Sequence, residues 1–337
     1  MNPPPVEYGA DRSGLIWGFL FGRGDGAIPI DSNRAIAWLA ERRNDDEFVW
    51  LHLNLAHAAT EKWLREHVGV TDEFHAALHD GSRSTRIELA DGTLVAVLND
   101  VLHSFSLDSA ETATLWLSVS RHVLITVRRT PLKSIERLRQ AVEAGAGIPS
   151  TVALLVHLLH DQGDVLVRIV RDAVTRVDSA EDNLLAGQLT HQRSKLGLLR
   201  RVLVRLQRLL APEPAALFRL LQRPPAWMAE RDVQDLRQAT EEFTVVLNDL
   251  SSLQERIKLL QEEIAAQVNE KNSRSLFVLT IVTVLALPIN IIAGLLGMNV
   301  GGIPLAEDDH GFWLVAGIVA TFTVIACWIV VRRQNRE

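Results

Sequence analysis

Cysteine is almost absent from this chain of 337 residues, which contains only Cys327. A disulfide within the chain needs two cysteines, so none is expected, and metal chelation by several cysteine thiolates is excluded as well. Basic residues are also fewer than acidic ones, and the formal net charge is -6. Because nucleic-acid-binding domains are usually basic, this balance argues against nucleic acid as a partner.

Enzyme signatures are missing too. Serine, histidine and aspartate are present, but no nucleophile motif joins them. The glycine-rich segment Gly22–Gly26 lacks the Lys-Ser/Thr pair and the helix of a phosphate loop, and we interpret it as a turn. Residues 1–14 lack the apolar core of a signal peptide and predict a short disordered lead. We therefore expect no catalytic residues and no cofactor.

Charged residues are absent from two long apolar runs near the C-terminus, Leu276–Leu296 and Phe312–Val331. A helix needs about 20 apolar residues to cross a hydrocarbon core of roughly 30 Å. The runs therefore predict two transmembrane helices, and a pair of buried helices in a soluble protein is the alternative. Positive charges lie outside the two runs and none lies in the loop between them; they are Lys271, Arg274, Arg332, Arg333 and Arg336. The positive-inside rule thus predicts cytoplasmic termini and an outer loop.

The part before the membrane helices changes its period near residue 130. Alternation of apolar and polar residues predicts strands at Leu15–Phe21, Phe48–Asn54, Thr114–Ser120 and His122–Arg128, and a hairpin at Thr85–Asn99 around Asp91-Gly92. Short helices are predicted at Ala58–His67 and Asp72–His79. The fold class is therefore an α/β cytoplasmic domain at residues 15–130, followed by long helices and two C-terminal transmembrane helices.

A helical period of 3.6 dominates from residue 131 onward. Residues 131–227 form a helical region, with helices predicted at Leu132–Ala144 and from Pro149 to about Leu210. A break at Ala211–Pro214 precedes a short helix that ends at Gln222. A stalk helix then spans 228–297 and enters the membrane at about 276. A heptad seam along it suits packing against other long helices: Phe243, Val246, Leu250, Leu253, Ile257, Leu260 and Ile264. The outer loop spans 298–311, the second membrane helix 312–331 and a basic tail 332–337.

One face of the first membrane helix is polar. Steps of three or four residues place these side chains together: Ser273, Leu276, Thr280, Thr283, Leu287, Asn290 and Gly294, with Gly297 at the outer end. A buried amide such as that of Asn290 needs partners or water. The face predicts either a helix–helix contact held by Asn290 or the wall of a water-filled pore. Two helices cannot enclose a pore, so a pore requires several copies around an axis.

The tripeptide Gly297-Met298-Asn299 at the outer end of the first membrane helix resembles the signature of the CorA superfamily of divalent-cation transporters. The following Val300–Pro304, the strand segment Trp50–Asn54 and the acidic stretch Asp178–Leu184 resemble the ZntB zinc-transporter branch. The resemblance implies a homopentameric funnel in a bacterial inner membrane. It places Gly297, Met298 and Asn299 at the pore mouth, where oxygen atoms meet a hydrated cation. It also suggests import, with proton coupling as an option.

The outer loop carries an acidic cluster, Glu307, Asp308 and Asp309, followed by His310. Carboxylates repeated around a pore would concentrate cations before they enter; a solvated loop is the alternative. His310 is the loop ligand that favours Zn2+ over Mg2+.

A second cluster lies on a predicted helix, at His157, His160, Asp161 and Asp164. The spacing of these side chains would suit a cytoplasmic metal site, although such residues more often cap or solvate a helix. His52, His57, His75 and His79 are interpreted as structural.

The sequence therefore predicts a divalent-cation transporter that moves Zn2+, and that has itself, membrane lipid and divalent ions as partners. A Mg2+ or Co2+ channel of the CorA branch is one alternative. A membrane-anchored coiled-coil signalling or scaffold protein is another, although an anchor has no use for Asn290.

Overall fold

The computed structural model describes residues 9–22, 26–41, 47–80, 84–107, 111–188, 192–298 and 310–334. The chain divides into two compact units, Met1–Gln261 and Glu262–Glu337.

A seven-stranded mixed sheet forms the centre of the first unit, in the order β2-β1-β3-β7-β6-β5-β4. The strands are β1 (Leu15–Phe21), β2 (Ile28–Ile30), β3 (Phe48–Asn54), β4 (Arg86–Ala90), β5 (Thr93–Val101), β6 (Thr112–Val119) and β7 (Val123–Arg128). Only β3 and β7 pair in parallel, and the other neighbours are antiparallel. The predicted strands are confirmed within one or two residues at each end.

The hairpin between β4 and β5 turns at Asp91 and Gly92, whose φ angles are 47° and 74°. Two consecutive positive φ angles are those of a type I′ turn, which matches the twist of the flanking strands. The turn closes on the pair Ala90 and Thr93. The predicted hairpin is therefore confirmed.

Helices cover both faces of the sheet. They are α1 (Ser32–Ala40), α2 (Thr60–Trp63, continued by a π-helical turn at Leu64–Val68), α3 (Asp72–His79), α4 (Lys133–Glu143), α5 (Thr151–Leu185), α6 (Gln192–Leu210), α7 (Pro212–Gln222), α8 (Glu230–Leu296) and α9 (Gly311–Gln334). Residues of α1, α2 and α3 share one apolar core with one face of the sheet, and residues of α4, α5 and α7 share a second core with the other. This arrangement confirms the predicted α/β class.

The predicted single helix from Pro149 to about Leu210 is wrong, because α5 ends at Leu185 and α6 begins at Gln192. Gly187 has φ of 75°, a left-handed conformation that suits glycine. Its amide donates to the Leu184 carbonyl at 2.9 Å, and the Gln188 amide donates to the Asn183 carbonyl at 2.8 Å. These are the two bonds of a Schellman C-cap, which ends a helix. Gly187 marks the end of α5 in the sequence, although the helical periodicity continues on both sides of it.

Sequence reasoning also missed β2 and α1. β2 has three residues and is an edge strand, too short to show alternation. Helix α1 begins with Asp31 as N-cap, whose carboxylate accepts from the Arg34 amide at 2.8 Å. Both elements follow the glycine-rich turn, of which residues 23–25 lie outside the described part of the chain.

The seam of α8 in the first unit is buried within the chain itself. Phe243, Leu250, Leu253, Ile257 and Leu260 are buried as predicted. Leu247 replaces the predicted Val246, since an α-helix advances 3.6 residues per turn and shifts the buried position. The Gln207 side chain on α6 donates to the Ser251 hydroxyl, and Arg256 pairs with Asp178 on α5 at 2.8 Å. The seam therefore packs against α5 and α6 of the same chain.

The second unit contains the rest of α8 and all of α9. Helix α8 includes Pro288 and ends at Leu296, in agreement with the predicted helix from about Met228 to Gly297. By length and composition, α8 has a segment apolar enough to cross a membrane, whereas the apolar part of α9, Gly311–Ala326, is shorter among the residues the structure describes.

Candidate ion pathway

The polar face predicted on the first membrane helix is exposed along its whole length in α8. Its members are Ser273, Leu276, Thr280, Thr283, Leu287, Asn290 and Gly294. Partly buried residues recur instead on another face of the same segment, at Ile281, Leu285 and Ile292. Partly buried residues of α9 recur at similar steps, at Val315, Val319 and Thr323. The polar face thus remains uncovered within a single chain.

The two threonine hydroxyls of this face donate to the backbone of their own helix. Thr280 Oγ1 lies 2.8 Å from the Leu276 carbonyl, and Thr283 Oγ1 lies 2.9 Å from the Leu279 carbonyl. Their donors are therefore satisfied, and each oxygen keeps lone pairs that face away from the helix. Thr280 and Thr283 present acceptor oxygens, which suit a cation.

Asn290 differs from the threonines, since its amide makes no hydrogen bond to any residue that the structure describes. The side chain is exposed. An amide in hydrocarbon without a partner costs about 4–8 kcal/mol relative to water. A membrane-spanning α8 therefore needs water or another chain at Asn290.

Helix α8 ends just before the predicted pore mouth. The Gly297 amide donates to the Ala293 carbonyl at 2.9 Å, and the exposed Met298 follows it. Asn299 and the acidic positions Glu307, Asp308 and Asp309 lie outside the described residues.

His310 lies just before α9, where its carbonyl accepts the Leu314 amide at 3.2 Å. The side chain is exposed. The structure therefore describes His310 as an exposed residue at the start of α9.

The four residues of the predicted cytoplasmic metal site are held by other partners. The Arg137 guanidinium on α4 binds Asp161 at 2.8 Å and Asp164 at 2.9 Å. His157 Nδ1 lies 3.2 Å from the second Asp161 oxygen, and His160 pairs with Glu242 on α8 at 3.3 Å. Arg137 therefore occupies the position between the carboxylates that a metal ion would need. No group of three metal-ligating side chains occurs among the described ranges, and we do not propose metal binding at this cluster.

The electrostatics of this cluster also fit an ion-pair network. The hydrogen bond from His157 to Asp161 raises the pKa of the imidazole, and burial opposes it. A histidine with a raised pKa favours the imidazolium, which is a poor metal ligand because its nitrogens carry protons.

His52 is structural, as interpreted from the sequence. It is fully buried, and Arg128 Nε donates to its Nε2 at 2.9 Å. Its Nδ1 lies 2.7 Å from Thr126 Oγ1 and therefore carries the ring proton. Burial and the charge of Arg128 lower the pKa of His52, which keeps the ring neutral.

Sequence reasoning missed two buried carboxyl groups, Asp100 on β5 and Glu213 on α7. Their side chains belong to residues that are 3% and 0% exposed. Burial raises the pKa of Asp100 to about 6, although hydrogen bonds from Ser134 and Val101 oppose the rise. Burial and the charge of Asp100 raise the pKa of Glu213 well above its ordinary value. Glu213 stands between Pro212 and Pro214, so the sequence indicated only a helix break there.

The chain is similar in sequence to known proteins. The model of a protein family described as CorA-like Mg2+ transporter protein matches residues 45–333. The divalent cation transporter CmaX of Pseudomonas aeruginosa is 32% identical over 333 residues, which cover 96% of this chain and 97% of that protein. The zinc transport protein ZntB of Pectobacterium carotovorum subsp. carotovorum is 24% identical over 303 residues, 90% of each chain.

Two solved structures share the fold. The structure of the full-length CmaX protein has a TM-score of 0.75 and 27% identity, and covers 97% of this chain and 99% of that one. The CorA magnesium transporter from Methanocaldococcus jannaschii has a TM-score of 0.74 and 20% identity, with 93% and 96% covered.

Proposed function

The chain belongs to the family of CorA-like Mg2+ transporter proteins and is thus a divalent cation transporter, and we propose that it imports Zn2+ through a homopentameric pore lined by the polar face of α8. The single observation that carries the pore is Asn290, an exposed amide on a helix long and apolar enough to cross a membrane. Water and neighbouring copies of Asn290 would satisfy the amide. A ring of neutral oxygens would also replace or hold part of the water shell of a passing cation.

The cytoplasmic part of α8 supports a continuation of this pathway. Its seam is buried against α5 and α6, but the opposite face is exposed at Val245, Ser252 and Leu259. The same seven-residue step reaches Ala266, Ser273, Thr280, Leu287 and Gly294 in the sequence. None of these residues is charged. We propose that this stripe, rather than the buried seam, lines the cytoplasmic vestibule.

Import follows from orientation and membrane potential. The distribution of Lys and Arg supports a cytoplasmic position for the large N-terminal unit and both termini, and we propose that the membrane is the bacterial inner membrane. An inside-negative potential of about 100 mV lowers the free energy of a divalent ion by about 4.6 kcal/mol as it enters. Neither apolar run contains a carboxylate that could relay protons. We therefore expect the potential to drive import, with protons acting on the loop or the cytoplasmic unit.

The choice of cation rests on few side chains. His310 beside the mouth favours Zn2+, because imidazole is a good zinc ligand and a poor magnesium ligand. The printed name of the ZntB relative also supports zinc. Mg2+ or Co2+ is the second candidate, because the polar side chains of the α8 face offer only oxygens and an amide, as hard cations prefer.

Uptake into liposomes tests both cation and direction. The full chain would be reconstituted, and uptake of Zn2+, Mg2+ and Co2+ measured under an inside-negative potassium diffusion potential, with and without a pH gradient. We expect Zn2+ to saturate at the lowest concentration and the potential to accelerate uptake. A preference for Mg2+ would favour the second candidate, and uptake indifferent to the potential would contradict potential-driven import. Native mass measurement in mild detergent should give a pentamer, and a monomer would contradict the pore.

A further inference from the structure

The buried carboxyl groups of Asp100 and Glu213 lie in the cytoplasmic unit, outside the proposed pore. Asp100 is on β5 in the sheet, and Glu213 is in the first turn of α7. Both face the core that α4, α5 and α7 share with the sheet, and Asp100 is close enough for its charge to act on Glu213. Glu213 lies at the junction of α6 and α7, and α7 in turn leads to α8, the helix that carries the candidate pore face.

The two carboxyl groups differ in their hydrogen-bond partners. Asp100 Oδ1 accepts from the Val101 amide at 2.7 Å and the Ser134 hydroxyl at 2.9 Å, and Oδ2 accepts from the Ser134 amide at 3.0 Å. Neither oxygen of Glu213 has a hydrogen-bond partner in the part of the chain that the structure describes. Three donors stabilise the Asp100 carboxylate, whereas nothing stabilises a negative charge on Glu213.

A chain of hydrogen bonds connects the end of α6 to a further buried acceptor, the side-chain oxygen of Gln162. Thr85 Oγ1 donates to the carbonyl of Leu209, just before α7, and accepts from the Asn99 amide, each at 3.1 Å. The Asn99 carbonyl accepts from Gln162 Nε2 on α5 at 3.1 Å. The Gln162 Oε1 atom is buried and has no partner among the described residues. The region thus contains unpartnered acceptors on two helices and lacks the donor they need.

Charged groups on the surrounding elements mostly contact one another, although Arg86 Nε on β4 makes no hydrogen bond in the described part of the chain. Arg137 on α4 binds Asp161 and Asp164 of α5, and Arg139 on α4 binds Glu136 and Glu143. On β4, which packs against α7, Arg86 pairs with Glu88 at 3.7 Å. Asp161 adds negative charge near Asp100. Burial and the charge of Asp100 both raise the pKa of Glu213, and no cation of the described residues opposes them.

We propose that Glu213 is a protonated carboxylic acid in the folded protein and acts as a pH-sensitive latch that holds α7 against the sheet. A proton converts one Glu213 oxygen from an acceptor into a donor, and the neighbouring Asp100 carboxylate is a group that can accept from it. Loss of that proton leaves two buried carboxylates without a counter-ion, so α7 must undock to hydrate Glu213. Cytoplasmic alkalinisation therefore loosens the connection between α6 and α8.

The sign of the pH effect follows from proton uptake. A carboxyl group with a raised pKa binds more protons in the docked state than in the undocked one, so docking weakens as pH rises from the undocked pKa to the docked pKa. Each undocking event in this range releases one proton. The equilibrium constant for undocking should thus rise by up to about tenfold per pH unit.

Hydrogen exchange on the full chain in detergent tests the latch. Protection factors of the α7 amides, Pro212–Gln222, would be measured from about pH 6.5 to 8.5, above most of the Asp100 titration. We expect protection in the wild type to fall by up to about tenfold per pH unit and protection in Glu213→Gln to stay flat. Glu73→Gln on α3 is the control, because Glu73 is exposed and α3 packs on the other face of the sheet, and it should follow the wild type. A flat wild-type profile would overturn the latch.

Infrared spectroscopy gives an independent readout. The C=O stretch of a protonated carboxyl group should be present at pH 8 in the wild type and Glu73→Gln and absent from Glu213→Gln. Its absence from the wild type would overturn the proposal. Opening that depends on divalent cation concentration instead of pH would assign a bound cation to the site and also overturn it. If Glu213→Gln fails to fold, Asp100→Asn should shift the wild-type pH window downward, because it removes the neighbouring negative charge; an unshifted window would refute the pairing.

Discussion

Replacing Asn290 by leucine should reduce cation flux strongly while leaving the assembly intact. The Asn290 side chain is exposed, while Thr280 and Thr283 donate their hydroxyl protons to their own helix. Asn290 is therefore the residue of this face whose whole amide is available to a cation or its water. With leucine at Leu287 one turn away, Asn290→Leu would extend an apolar constriction that resists wetting.

The expected loss can be worked from a single interaction. A hydrogen bond to a charged group contributes about 1.5–3 kcal/mol. Since 1.36 kcal/mol corresponds to a factor of ten in rate, the flux should fall about 10- to 100-fold. Several subunits contribute such a group, so this is the smallest loss expected. Zn2+ and Mg2+ should be affected alike, because the amide carries no preference between them.

The assay is uptake into liposomes, normalised to the oligomeric fraction by native mass measurement. Thr321→Val is the matched control, because Thr321 is exposed on α9 and its hydroxyl also donates to its own helix, to the Gly317 carbonyl at 2.7 Å. If Asn290 instead held the subunits together, the oligomer would weaken by about 0.6–2 kcal/mol per contact and flux would fall only in step with it. Normalised flux equal to the wild type would refute the pore face.

Four further predictions concern other residues. Asn299→Ala should abolish or strongly reduce flux without changing the oligomer, and wild-type flux would reduce the tripeptide to a structural turn. Neutral amides at positions 307–309 should raise the concentration for half-maximal uptake, less so at high salt because charges are screened over about 10 Å at 0.1 M; an unchanged concentration dependence would mean a merely solvated loop. His310→Asn should impair Zn2+ uptake more than Mg2+ uptake, and equal losses would remove the residue-level argument for zinc. Asp161→Asn should lower the free energy of unfolding by about 1.5–3 kcal/mol, because it removes a charge-assisted hydrogen bond to Arg137, which Asp164 continues to bind. The part due to His157 should be present at low pH and lost as pH rises through its raised pKa, so a deficit of equal size at pH 5 and 9 in chemical denaturation would contradict that link.

Features that depend only on residues close together in the sequence were predictable. Strand alternation located β1 and β3, and the Asp91-Gly92 pair located the hairpin, because these signals depend on neighbouring residues alone. The polar face of α8 was predictable for the same reason, since helical steps of three and four fix which side chains share a face. The sequence also indicated the family, through a tripeptide in the right place between two apolar runs.

Features that depend on tertiary contact were not predictable. The ligand-like spacing of Asp161 and Asp164 was real, but Arg137 on another helix fills the space between them. The heptad seam of α8 predicted helix packing without revealing that the partners were α5 and α6. The environment of Glu213 could not be predicted either, because one acidic residue between two prolines gives no indication of which strand will cover it.

The parallel pairing of β3 with β7 has a consequence for synthesis. Val49 pairs with Val123, so the centre of the sheet joins segments separated by a long stretch of chain. Contacts of such high sequence separation close slowly, and here they cannot close until β7 has left the ribosome. The core between the sheet and α4, α5 and α7 also contains Leu236 and Ala239 of α8, so it is complete only after these residues have been synthesised. The first unit therefore acquires its last core residues shortly before the apolar end of α8 is synthesised, and the order of residues along the chain makes folding of that unit and membrane insertion nearly simultaneous events.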